Sequence, residues 1–177
     1  MANNDNPNGF QPFMNPGGSG KPFIFEFDLG ASNSIIGIGD PLTQTSGLVE
    51  RAAASDELVG IAAEAKAASA GGKIKVWCDP MQFFVAQTDD GTGTATAVGA
   101  ILANINFVVT DATSGYSNCE LDESSATTNA ALPFKILRLS PEYSGASGAA
   151  NAYGEFNRFI VKINNHMLQG GTGTVGT

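Results

Sequence analysis

Alternation of apolar and polar side chains from Ile74 to Cys78 leaves the middle of this chain little choice but a β-strand. Ile74, Val76 and Cys78 fall on one face and Lys73, Lys75 and Trp77 on the other, the period-two pattern of a half-buried strand. The Lys stems can cover Trp77 while their ammonium groups stay in water. The same stretch, residues 58–87, holds two more apolar runs, 58–63 and 83–86, and Gly71-Gly72 and Asp79-Pro80 separate the three at turn positions. Residues 58–87 therefore read as the centre of a β-domain.

Further strands follow from the same logic. Phe23, Phe25, Phe27 and Leu29 alternate with Ile24, Glu26 and Asp28. Ile101, Ala103, Ile105, Phe107 and Val109 alternate with Leu102, Asn104, Asn106 and Val108, and Phe159, Val161 and Ile163 with Ile160 and Lys162. In residues 134–139 the apolar parity switches between Ile136 and Leu137, as a bulge or burial on both faces requires. A short apolar run at 34–38 stops at Gly39-Asp40-Pro41, and Asp90-Gly91 is a hairpin signal. The polar stretch 110–132 reads as a long connection, with a short strand near 116–121 or a reach to a neighbour.

Residues 50–70 pull two ways, because Ala favours a helix while Val59-Gly60-Ile61 favours a strand. The reading adopted is a strand at 58–63 and then a loop or short helical turn; a single helix over 55–70 is the alternative. With 22 glycines and 8 prolines among 177 residues, turns are frequent and strands short. The expected fold class is all-β, mainly antiparallel, a small β-barrel or β-sandwich with at most one short helix and an extended N-terminal arm. The expected organisation is an arm at 1–20, one β-domain at 21–168 and a flexible Gly/Thr tail at 169–177.

A net charge of -8 argues against a nucleic-acid partner, since phosphate binding rests on Lys and Arg, and the nine present are scattered along the sequence. The first twenty residues carry neither an apolar run nor a positive charge before Lys21, so neither a secretory leader nor a membrane span is expected there. Cys78 and Cys119 are too few for a disulfide framework or a zinc site, and read as reduced, buried filler.

Catalytic chemistry finds little support. His166 is the only histidine, no Gly-x-Ser-x-Gly elbow accompanies it, and it reads as an exposed or capping residue. Gly91-Thr92-Gly93-Thr94 lacks the Lys of a phosphate loop and follows two Asp, which fits a turn. Asp111, Glu120, Asp122 and Glu123 lack the alternating spacing of a calcium loop and read as a solvated acidic stretch. No catalytic residue, metal or cofactor is expected. In the first twenty residues, prolines 7, 12 and 16 disfavour helix, and Phe10, Phe13 and Met14 are the only large apolar groups. Those three are the expected partner-binding residues of an arm that orders against a neighbouring subunit.

Three segments together resemble the small decoration, or cement, proteins on the heads of tailed bacteriophages. They are Leu58-Val59-Gly60-Ile61-Ala62-Ala63-Glu64 with its spacer to Gly72 and the strand from Lys73 to Cys78; residues 134–141; and residues 157–166. The resemblance implies a compact β-barrel or β-sandwich with an extended terminal arm, often trimeric, that binds the major capsid protein on the capsid exterior and clamps neighbouring subunits without catalysis. It implies synthesis in the bacterial cytoplasm and residence on the virion. A host-recognition or carbohydrate-binding β-module is the alternative, and would need Trp77, Tyr116, Tyr143 and Tyr153 to converge. A hydrolase using carboxylates or His166 is a third class.

Overall fold

A computed structural model describes residues 3–16, 22–31, 34–89, 98–141, 143–144, 149–170 and 173–176. These residues form strands β1 (Gln11–Met14), β2 (Ile24–Leu29), β3 (Pro41–Thr45), β4 (Leu48–Arg51), β5 (Gly60–Ala62), β6 (Gly72–Trp77) and β7 (Phe83–Gln87). They continue with β8 (Asn104–Val108), β9 (Glu120–Thr127), β10 (Phe134–Leu139), β11 (Tyr143–Ser144), β12 (Ala149–Ala150) and β13 (Arg158–Ile163). Helix among the described residues is limited to two single 3-10 turns, Val98–Ala100 and Met167–Gln169. The fold is all-β, as the alternation in the sequence requires.

Two sheets carry the architecture. A closed barrel runs β2-β4-β3-β5-β6, and a six-stranded sheet runs β1-β7-β13-β10-β8-β9. Among the described strands every strand-to-strand ladder is antiparallel except β2 with β4, which meet at Leu29 and Val49. Ser46 and Gly47, at φ 53° and 86°, close the β3–β4 hairpin in the two-residue turn whose twist suits adjacent strands.

The apolar side chains make two cores. Leu42, Val49, Ile74, Val76 and Cys78 fill the barrel. Phe84, Phe107, Phe134 and Phe159 from the inner face of the sheet meet Leu58 and Ile61 from the barrel segment in the second. The barrel therefore covers one face of the six-stranded sheet and leaves the other facing outward.

No helix forms in residues 55–70. Gly60 has φ +156°, and a Cβ there would overlap the carbonyl oxygen of Trp77 and a methyl of Val76. This close backbone approach sets β5 on β6 and overrides the helical preference of the neighbouring alanines. Leu58 lies outside β5 and pairs instead in parallel with His166, accepting from Met167 N–H at 2.9 Å and donating to Asn165 O at 2.9 Å.

The connection 110–132 contains an eight-residue strand, β9, longer than expected and displaced toward its C-terminal end. Leu121 and Ala126 are its only apolar residues and Glu123 is buried, so the strand carries no apolar alternation. The bulge read at Ile136 and Leu137 is present as a register shift between Ile136 and Arg138 against β13. The Asp90-Gly91 hairpin lies outside the described residues.

Part of the N-terminal segment is built into the body. β1 pairs with β7, and Phe10, expected among the partner-binding groups, is fully buried at 0% exposure in the chain's own core. The correction has a simple cause: a ring with a complete apolar cage in its own domain gains nothing by leaving it. At the other end, residues 173–176 run beside β8, where Asn104 Nδ2 donates to Thr174 O at 2.7 Å and Gly176 N–H donates to Thr128 O at 3.1 Å.

Candidate partner-binding surface

The outward face of the six-stranded sheet is built by strand parity. Phe84, Phe159 and Phe134 point to the barrel, so Phe83 and Val85 of β7, Ile160 of β13 and Lys135 of β10 point away. Leu137 joins this face by parity, and the β10 bulge adds Arg138, which a regular strand would send inward, and turns Leu139 to the core instead. A second irregularity, between Pro12 and Met14 in β1, sets Phe13 and Met14 beside them. The result is a mainly apolar groove of about 190 Å³ lined by Phe13, Met14, Phe83, Leu137, Pro141 and Ile160, with Arg138 as its one charged wall residue. Phe13 is partly exposed and Met14 is 46% exposed. Two of the three expected partner-binding residues thus stand together on a surface, while Phe10 anchors the strand that presents them.

Basic residues surround the groove. Lys135 lies directly opposite Lys162 across β10 and β13, Arg138 opposite Ile160, and Arg158 opposite Gln87 across β13 and β7. Burial and the facing Lys162 ammonium both lower the Lys135 pKa. None of the four has a carboxylate ion-pair partner among the described residues, where ion pairs join Arg51 to Asp111, Lys66 to Glu64 and Lys73 to Asp28. Three of them donate to backbone carbonyls instead: Lys135 to Val175 at 2.8 Å, Arg158 to Asn6 at 3.3 Å and Arg138 to Leu139 at 3.3 Å. Cations scattered in sequence are therefore gathered in space. The signal for this was the parity of Lys135, Arg158 and Lys162 on their strands, which becomes a patch only once β10 and β13 are known to pair.

The other groups singled out in the sequence fall elsewhere. His166 caps the Met167–Gln169 turn, its Nδ1 accepting from Leu168 N–H at 3.1 Å. It is buried, not exposed, and burial lowers its pKa to about 4, so the ring stays neutral at pH 7. Cys78 and Cys119 are free and buried. The Cys119 thiol donates to Asp40 Oδ1 at 3.3 Å, and burial followed by that carboxylate pushes its pKa up to about 12, far from a reactive thiolate.

Of the acidic residues, Asp111 is exposed and paired with Arg51 at 2.8 Å, whereas Glu120, Asp122 and Glu123 lie on β9. No group of three metal-ligating side chains is assembled among the described residues. Tyr116 and Tyr153 are exposed and Trp77 is half-buried against the core; no described ring contact joins any two of them, and the Tyr143 side chain lies outside the described set.

Comparison with protein-family models, curated proteins and solved structures gives no match to this chain.

Proposed function

We propose that this chain is a non-enzymatic virion structural protein that binds the outer surface of a tailed-phage capsid and stabilises it by clamping neighbouring capsid subunits. The major capsid protein is its partner, a homotrimer its working form, and the capsid exterior its location after synthesis in the bacterial cytoplasm. The observation that supports the reading is the outward groove, in which the partly exposed Phe13 and the exposed Met14 stand beside Phe83 and Leu137. An apolar groove with a charged rim is the kind of surface that a soluble protein keeps for a partner. Phe10 strengthens the case, because burying it fixes β1 and removes most of the ordering cost that a free arm would bear on docking.

Co-sedimentation with capsids of the virus that encodes the chain tests this. Burying Phe13 and Met14 in a partner contributes about 1.5 to 3 kcal/mol each. The double variant Phe13→Ser, Met14→Ser should therefore bind at least about a hundredfold more weakly with its fold intact. Wild-type protein that stays in the supernatant at micromolar concentration would overturn the reading.

A further inference from the structure

The N-terminal half of β2 overhangs the barrel. β6 pairs with β2 along its whole length, from Ile24 opposite Trp77 to Leu29 opposite Gly72, but on the other side β4 reaches only Leu29, because its chain turns back at Ser46-Gly47. The Phe23 carbonyl accepts from Cys78 N–H at 3.3 Å, which fixes the parity: the backbone groups of Phe23, Phe25 and Phe27 face β6, and those of Ile24 and Glu26 face outward. Gly30, of the same parity as Ile24 and Glu26, donates outward to Val49 O at 2.8 Å. No described strand pairs with Ile24 or Glu26 on that side.

The side chains beside this edge are unusual for one left open. Phe23 and Phe25 are 48% and 50% exposed, with rings 4.5 Å apart in an edge-to-face contact, and Phe27 continues the row into the barrel core. Open edges are ordinarily blunted by lysine, proline or a bulge. Here three aromatic rings line one face. The opposite face carries Glu26 and Asp28, whose neighbours across β6 are Lys75 and Lys73.

We propose that this edge of β2 docks an extended strand of a partner protein in which Lys or Arg alternates with apolar residues. Added beside β2, such a strand would bond to the backbone of Ile24 and Glu26, lay its apolar side chains over Phe25 and Phe27, and set its cations against Glu26 and Asp28. Charge then alternates across three strands, basic on the partner, acidic on β2 and basic on β6. A second copy of β2 brings no cation to this edge: in the antiparallel register that pairs both free positions, Ile24 faces Glu26 and Phe25 faces its own counterpart, leaving Glu26 and Asp28 without a new opposite charge. Main-chain bonds supply the attachment and the two faces supply selectivity, as in other strand additions. The inference does not depend on the capsid reading and concerns a different surface from the groove.

The test uses the full chain and a nine-residue peptide alternating Val and Lys, with two controls: the same composition in separate blocks, and an alternating Val and Glu peptide. Binding is read by fluorescence of Trp77, the only tryptophan, and by residue-level amide exchange. The alternating Val and Lys peptide should bind and slow exchange at Ile24 and Glu26 at least tenfold. Glu26→Pro removes an outward donor and no β6 bond, and should weaken binding at least tenfold, while Glu26→Gln should weaken it a few-fold. Equal binding of the block peptide, or binding that leaves exchange at Ile24 and Glu26 unchanged, would overturn the proposal. So would protection of those amides by self-association without peptide. The exchange readout decides the matter on the wild-type chain even where Glu26→Pro fails to fold.

Discussion

The ring of Phe10 stacks on that of Phe134 with centroids 4.2 Å apart and planes 9° from parallel, while Phe107 meets both rings edge-on. A residue ten positions from the start of the chain is thus part of the central aromatic cluster. Phe10→Ala should cost about 3 to 5 kcal/mol, as removal of a buried ring does. Phe13→Ala should cost under about 1 kcal/mol, since most of that ring's neighbours lie on an open surface. Urea unfolding of the two variants gives the comparison, and equal losses would show that the segment is not divided into anchor and contact.

Gly60 and Gly47 both have positive φ, 156° and 86°, but a Cβ at Gly47 meets nothing within 4 Å whereas at Gly60 it runs into β6. Gly47→Ala should therefore cost only the conformational penalty, about 1 to 2 kcal/mol. Gly60→Ala adds overlap with the Trp77 carbonyl and should cost clearly more, with loss of native Trp77 fluorescence. Matching thermal shifts for the pair would refute the role given to the β5–β6 approach.

The strands that bury a face were legible because a buried face needs an unbroken period of two. Residues 74–78 and 159–163 show it, residues 83–86 stood out as a continuous apolar run, and even the β10 bulge was marked by the parity change at Ile136 and Leu137. β9 was legible only at its start near Leu121, since Asp122, Ser124 and Ser125 are polar and the buried Glu123 breaks any apolar alternation. Phe10 sits among Asn, Pro and Gly, and its local sequence carries no trace of a strand pairing more than seventy residues away. The groove could be half read: Phe13 and Met14 were recognisable as unspent apolar groups, but the basic rim arises from the register of β10 against β13, which pattern alone does not give.

Lys135 and Lys162 face each other directly on the outward sheet face, and like charges so placed destabilise a strand pair by a few tenths to about 1 kcal/mol. Lys162→Glu should convert the repulsion into an attraction and raise the urea midpoint, more at low salt than at high. If the groove is the capsid contact, the same variant should bind capsids differently from wild type despite its greater stability. An unchanged midpoint at low ionic strength would mean that the two ammonium groups are already screened from each other.

Glu120 and His166 give the fold two opposed pH dependences. Burial, then the nearby carboxylates of Asp5 and Asp89, raise the Glu120 pKa from its ordinary 4.5 to about 7. The folded chain therefore holds more protons than the unfolded chain between about pH 4.5 and 7, and this group's contribution to stability falls as pH rises through that window. His166 acts in the other direction. Its pKa drops from 6.5 to about 4 by burial, so the unfolded chain holds more protons between those values and stability is lost as pH falls from 6.5 toward 4. Between about pH 4.5 and 6.5 the two contributions offset each other. Glu120→Gln should uncover the His166 slope, with stability increasing from pH 4.5 to 6.5, and His166→Gln should uncover the Glu120 slope, with stability decreasing over the same range. Chemical denaturation at half-unit steps of pH measures both. Variants whose profiles run parallel to the wild type would show that neither group titrates differently in the folded and unfolded chains.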